Sequence, residues 1–169
     1  TQVSNSNKAT KDSVTGTIGH SVDVTCDKGY HSSTTSSSVQ CQSSGTFTSM
    51  TCDPDACSHT QVSNSNKATK DSIMGTTGQL IDVTCDTGYT SSTTGSSSVQ
   101  CQSSGTFTSM TCKSNPCGSN FHTNNISPTE GSGANTASGS TQAFTCAAGY
   151  AASGVATCTN GAWNTPTCD

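Results

Sequence analysis

The 169-residue chain has no Arg, one Glu (Glu130), one Trp (Trp163), four Phe and three Tyr; hydrophobic residues make up 28% of it and charged residues 9%. So few large apolar side chains cannot fill the core of a single domain of this length. Six scattered Lys with no Arg form no basic stripe, which argues against nucleic acid as a partner. The longest apolar runs, such as that around Leu80 and Ile81, are far too short to span a bilayer, and no charged and apolar leader opens the chain. No membrane insertion is expected in this segment. Disorder is also disfavoured, because a net charge of only −4 lacks the self-repulsion that keeps polar chains unfolded.

What the chain does contain is Cys and hydroxyls: 11 Cys, 31 Ser and 31 Thr. Cross-links are expected to replace the missing core, and so many Cys in a polar chain point to an oxidising compartment, secreted or at a cell surface. With no initiator Met, the chain reads as a mature fragment.

Residues 1–13 recur unchanged as 60–72, and residues 41–52 as 101–112; over residues 1–52 there are eight substitutions, leaving 44 of 52 identical, with Gly95 the one insertion. The Cys fall into order accordingly. Cys57, Cys85, Cys101 and Cys112 make one set of four, and Cys117, Cys146, Cys158 and Cys168 a second. In the first copy Cys26, Cys41 and Cys52 align with the last three of a set. Four Cys allow three connectivities, and spacing does not choose among them.

The motifs Cys85-Asp86-Thr87-Gly88-Tyr89 with Gly105-Thr106-Phe107 and Cys112, and Cys146-Ala147-Ala148-Gly149-Tyr150 with Gly161-Ala162-Trp163 and Cys168, resemble the sushi, or complement control protein, repeat. The first copy keeps Cys26-Asp27-Lys28-Gly29-Tyr30 and Gly45-Thr46-Phe47. The resemblance covers nearly the whole chain. It implies an all-β fold of tandem, disulfide-stapled antiparallel β-sandwich modules in an elongated rod. It also implies that first joins third and second joins fourth, pairing Cys57 with Cys101, Cys85 with Cys112, Cys117 with Cys158, Cys146 with Cys168 and Cys26 with Cys52. Cys41 is then unpaired, or bonded to a Cys outside the chain. The domains expected are repeat 1 (1–52, lacking its first Cys), a linker (53–56), repeat 2 (57–112), a linker (113–116) and a diverged repeat 3 (117–168). Phe47 and Phe107 stand where the family usually has Trp.

Independently of the family, residues 21–26 and 80–85 largely alternate polar and apolar, which suits half-buried strands with Val22, Val24 and Cys26 on one face. No window has helical periodicity. The chain-entropy model assigns about 4 kcal/mol to the Cys57–Cys101 loop and about 3.5 kcal/mol to Cys85–Cys112, enough to decide whether so small a module folds. Four-residue linkers reach roughly 14 Å, so modules must lie end to end, and Pro54 and Pro116 stiffen the path.

Catalytic chemistry is not expected. His20 becomes Gln79 and His31 becomes Thr90 in otherwise preserved surroundings, and no Ser-His-Asp or Cys-His arrangement is evident. Cys41 has an exact twin, Cys101, assigned to a disulfide, so a missing partner explains it better than a nucleophilic role. The Cys spacings do not suit zinc. Asp53 and Asp55, and Asp23/Asp27 with their copies Asp82/Asp86, read as solvated carboxylates, with a weak cation site as the alternative. No cofactor is expected, but covalent glycans are. Asn125-Ile126-Ser127 is an N-glycosylation sequon, and the hydroxyl-rich tracts at Ser32, Ser33, Thr34, Thr35 and Ser36, and at Thr90, Ser91, Ser92, Thr93 and Thr94, suit O-glycosylation. Residues 131–140 read as a low-complexity spacer, with a contact surface as the alternative.

Near-identical neighbours favour an extracellular structural protein, a segment of a longer glycosylated array whose partners are neighbouring copies of itself in a rod, fibril or surface appendage. Strand completion by another chain is one conceivable route of assembly. The alternative is an adhesion or recognition array binding a protein or glycan ligand, with specificity in the third repeat around Phe121, His122 and Trp163. Trp163 is also expected to pack on the Cys146–Cys168 disulfide.

Overall fold

The computed structural model describes residues 1–93, 97–118, 125, 136–164 and 166–169. Its regular structure consists of eleven short antiparallel strands: β1 (Ser21–Asp23), β2 (Tyr30–Ser32), β3 (Ser38–Gln40), β4 (Cys52–Pro54), β5 (Leu80–Asp82), β6 (Tyr89–Ser91), β7 (Ser98–Gln100), β8 (Cys112–Ser114), β9 (Thr141–Gln142), β10 (Ala156–Thr159) and β11 (Ala162–Asn164). No helix occurs among the described residues. Strands this short follow from the sequence, because apolar residues stand singly or in adjacent pairs between polar ones and no segment offers a long inward face.

Two compact units emerge. The first comprises Thr1–Gln61, Lys70–Asp82 and Ser98–Ser109; the second comprises Val62–Thr69, Val83–Ser97 and Met110–Asp169. Each unit therefore takes part of the second repeat together with one neighbouring repeat.

In the first unit, β1 pairs with β3, placing Val22 opposite Val39, and β2 pairs with β4, placing Tyr30 opposite Pro54 and His31 opposite Asp53. The chain order is thus interleaved. Val3, Val14, Val24, Val39, Met50 and Cys52 form a small buried cluster, with Val22, Cys26, Tyr30 and Phe47 packed on it. Beneath it, the Ser6 hydroxyl is buried, donating to Val3 O at 2.6 Å and accepting Lys8 N–H at 2.9 Å. The same unit contains β5 paired with β7, and a fully buried Ile73 whose N–H and C=O both bond to Thr60.

In the second unit, β6 pairs with β8, and β9, β10 and β11 form a three-stranded sheet. β10 and β11 are joined by a two-residue turn, Asn160–Gly161, with φ of 49° and 87°. Positive φ at both positions is the hairpin geometry for which Asn-Gly is best suited. Val62, Val83, Met110, Ala156 and Cys158 are buried here.

Five disulfides join Cys26 to Cys52, Cys57 to Cys101, Cys85 to Cys112, Cys117 to Cys158 and Cys146 to Cys168, with Cα separations of 5.5 to 5.8 Å. Each lies within one unit. Asn5, Asn64 and Asn125 form a structural series: each has φ between 55° and 61°, and each carbonyl accepts a backbone N–H, from Asp27, Asp86 and Ala147 respectively. Asn tolerates this left-handed turn better than other residues with a side chain.

Candidate interaction surfaces

The joints between repeats bring together described residues that are far apart in the sequence. Residues 53 and 54, read from the sequence as linker, belong to β4, so the connection is ordered almost up to Asp55. In the first unit, Asp55 N–H donates to Gly29 O at 2.8 Å, and Asp55 O accepts both Thr77 N–H at 2.9 Å and the Thr77 hydroxyl at 3.3 Å. The Asp55 carboxylate accepts from His31 Nδ1 at 2.7 Å. Gly29, at φ 86°, faces Ser103 and Thr77: a Cβ there would stand 2.7 Å from Ser103 Cα and 2.9 Å from Thr77 Oγ1. Ser103 belongs to the turn closed by Gly105 N–H to Gln102 O at 2.9 Å, with Gly105 at φ 81°.

The second unit has a joint made of corresponding parts. Asn115 N–H donates to Gly88 O at 2.8 Å, Thr90 Oγ1 bonds to Asn115 Oδ1, and Gly88, at φ 84°, lies against the backbone and Cβ of Asn160. Trp163, half-buried, lies opposite Cys158 in the β10–β11 pair and donates its indole N–H to Gly118 O at 2.9 Å. It thus sits beside the Cys117–Cys158 bridge and ties the third repeat's hairpin to the chain leaving the joint.

Sequence reasoning missed the joint residues. The sequence shows His31 and Thr90 exchanging, but not that their partners change with them: His31 meets Asp55, whereas Thr90 meets Asn115. Aligning the two linkers alongside the repeats would have exposed this paired exchange.

The hydroxyl-rich loop after β2 is exposed and tied to itself: Thr34 N–H donates to Ser32 Oγ, the Thr34 hydroxyl donates to Ser36 O, and the Ser36 hydroxyl donates to Ser38 O. Ser33 Oγ accepts Thr51 N–H at 3.0 Å. Thr35 is exposed and makes none of these bonds. Ser21, Thr34, Ser36, Ser38, Gln40 and Thr48 are among the residues lining an open recess of about 370 Å³ beside this loop. In the second repeat, Thr90, Ser92 and Thr93 are exposed and Ser91 is half-buried; Thr94 lies outside the described residues. Asn125 is exposed on its left-handed turn, whereas Phe121, His122, Ile126, Ser127, Glu130 and residues 131–135 lie outside the described residues.

Cys41 is a buried free thiol, 4% exposed, in the position that Cys101 occupies in the second repeat. There, Cys57 bonds to Cys101, Cys57 N–H donates to Gly75 O and Ser58 N–H donates to Gly105 O. Among the described residues, no three of His, Cys, Asp and Glu converge so as to hold a metal ion. Asp53 accepts from the Thr51 hydroxyl at 2.9 Å, and Asp55 is engaged with His31. No helix among the described residues is long and apolar enough to cross a membrane.

The interleaved strands, paired disulfides and repeated joints agree with the comparison against known families. The sushi repeat (SCR repeat) model matches residues 2–57 and 116–168, and the chain belongs to that family. No curated protein matches the chain. Sushi repeats as a class are disulfide-bonded, typically non-enzymatic modules of extracellular proteins that mediate protein interactions.

Proposed function

We propose that this chain is a segment of a longer extracellular structural array, in which interchangeable sushi repeats are stacked into a glycosylated rod, fibril or surface appendage. The observation that carries this reading is the near-identity of neighbours, 44 of 52 residues, in a chain where both joints are assembled from corresponding residues. Selection for recognition drives neighbouring modules apart, whereas selection for length keeps them alike. The surface supports the same reading, since it has no Arg and few aromatics, the residue types that dominate tight protein interfaces.

Glycans on the Ser/Thr loops, and at Asn125, would add bulk and hydration to such a structure without altering its core. A second reading, an adhesive or recognition array, is favoured by the hydroxyl-lined recess beside Ser36 and Ser38, whose uncharged polar lining suits a neutral glycan. Electron microscopy of the unreduced native protein at near-neutral pH decides between them. Long regular filaments are the expected result; isolated short particles that bind immobilised glycans or cell-surface proteins would overturn the structural reading in favour of the adhesive one.

A further inference from the structure

Of the four prolines, Pro54 alone follows an aspartate; the others follow Asn115, Ser127 and Thr165. The Asp53–Pro54 bond lies in β4, which leads into the first joint, where Gly29 is the seat for the turn of Ser103. An X–Pro bond is a tertiary amide whose nitrogen carries no hydrogen, and it departs more readily than an ordinary amide once protonated. An aspartate side chain before it sets a carboxylate one methylene away from the Cα that bears the carbonyl, so attack closes a five-membered ring.

Asp53 and Pro54 are both exposed, while the preceding Cys52 is buried and bridged to Cys26. Asp53 lies opposite His31 in the β2–β4 ladder. The flanking backbone bonds, Asp55 N–H to Gly29 O at 2.8 Å and Ser33 N–H to Thr51 O at 2.9 Å, place that pair at the hydrogen-bonded register, so a donor polarises the Asp53 carbonyl. The Thr51 hydroxyl holds Asp53 Oδ1 at 2.9 Å. The titratable and charged groups around it are Asp55 on its own strand, His31 across the ladder with Nδ1 2.7 Å from Asp55 Oδ1, and Asp27 and Lys28 in the turn that enters β2. From the second repeat the joint receives Thr77 and Ser103, both uncharged. The second joint has Lys113 and Ser114 in place of Asp53 and Pro54, with Lys113 opposite Thr90.

We infer that Asp53–Pro54 is an acid-operated scission site in the folded joint, which separates the first repeat from the rest of the chain. The Asp53 carboxylate oxygen bonds to the carbonyl carbon of its own residue. The C–N bond breaks with its electron pair on the Pro54 nitrogen, which takes a proton from the medium and leaves as a secondary amine. The cyclic anhydride left on Asp53 takes up one water and opens to two carboxylic acids. Acid drives the step because the leaving nitrogen needs that proton. Cys26–Cys52 lies before the break and the other four bridges lie after it, so no disulfide holds 1–53 to 54–169. The inference goes beyond the structural and adhesive readings and depends on neither.

Incubation of the purified, unreduced chain at about pH 4 and about pH 7, followed by intact-mass spectrometry, tests this. The expected products are 1–53 and 54–169, formed at the acid pH only, with the Asn115–Pro116 bond intact. Asp53→Asn, which lacks the attacking carboxylate, and Asp53→Glu, which must close a larger ring, each slow the scission at least about tenfold. The native chain is expected to break at least as fast as the same chain reduced and unfolded in urea at that pH. Absence of the two fragments overturns the inference, as does Asp53→Asn breaking at the native rate. Scission about tenfold faster in the unfolded chain also overturns it, because the lability would then belong to the dipeptide and not to the joint. Loss of the folded circular-dichroism spectrum at about pH 4 does the same, since the scission inferred is that of the ordered joint.

Discussion

Gly29 and Ser103, 74 positions apart, approach so closely that one methyl group on Gly29 would stand 2.7 Å from the Ser103 Cα, closer than real side chains come to a backbone. The glycine is required twice over, for its left-handed φ of 86° and for the space its missing side chain leaves.

Gly29→Ala and Gly149→Ala separate those two requirements. Both impose the left-handed penalty of about 1–2 kcal/mol on a residue with a Cβ, but among the described residues only Gly29→Ala also meets a neighbouring backbone. Denaturant titration is expected to show the larger loss for Gly29→Ala, together with faster proteolysis at Asp53–Ala56. Equal losses would mean that the seat has no role in holding the turn.

His31 and Asp55 are exchangeable as a pair. Replacing them by Thr and Asn, the residues of the second joint, is expected to restore stability that either single substitution loses. The coupling is no more than about 1 kcal/mol, because the two side chains are 60% and 45% exposed. A double-mutant cycle on urea midpoints measures it, and a coupling of zero would reduce the pair to a surface coincidence.

Ser6→Ala removes a buried hydroxyl that both donates to Val3 O and accepts from Lys8 N–H, leaving two backbone groups without that partner. A loss of about 1–3 kcal/mol is expected, and the twin substitution Ser65→Ala, with the same two bonds, is expected to match it. Urea unfolding of the two variants checks this; a neutral result at either position would show that water replaces the hydroxyl.

The first repeat has one disulfide, Cys26–Cys52, whereas Cys57–Cys101 and Cys85–Cys112 both lie in the second. A bridge that closes a loop such as Cys57–Cys101 contributes about 4 kcal/mol in the chain-entropy model. Backbone amides of Val3 and Val14 are therefore expected to exchange with deuterium faster than those of Val62 and Ile73. Equal protection would locate the stability of these repeats in their packing instead of their bridges.

Glycosylation of the Ser32–Ser38 loop is expected to favour Thr35, which is exposed and stands outside the loop's own hydrogen bonds. Peptide mass spectrometry of the native protein with site localisation reads this out, and bare masses throughout the loop would remove the glycan from the account.

Local order was legible wherever short-range pattern determines it. Val22 and Val39 sit opposite each other as single apolar residues among hydroxyls, and Cys-x-x-Gly-Tyr identified the family whose bridging pattern matches the bonds seen in the structure. The joints were not legible, because the contact of Gly29 with Ser103 joins residues of different repeats and leaves no local periodicity. Gly29 belongs to the Cys26-Asp27-Lys28-Gly29-Tyr30 motif, but its role as a seat depends on a turn far along the chain. Asp53 and Pro54 read as linker from composition, yet pairing with His31 and Tyr30 places them in a strand. The left-handed series Asn5, Asn64 and Asn125 was hidden in its third member by the divergence of the surrounding residues.

The two seats accept different turns. Gly29 receives the turn of Ser103, Ser104 and Gly105, and Gly88 receives the tighter Asn160–Gly161 turn. A joint indifferent to the length of the loop it holds places little demand on which repeat comes next. Exchange of one such repeat for another would therefore leave the glycine seat usable, with the turn it holds free to differ in length.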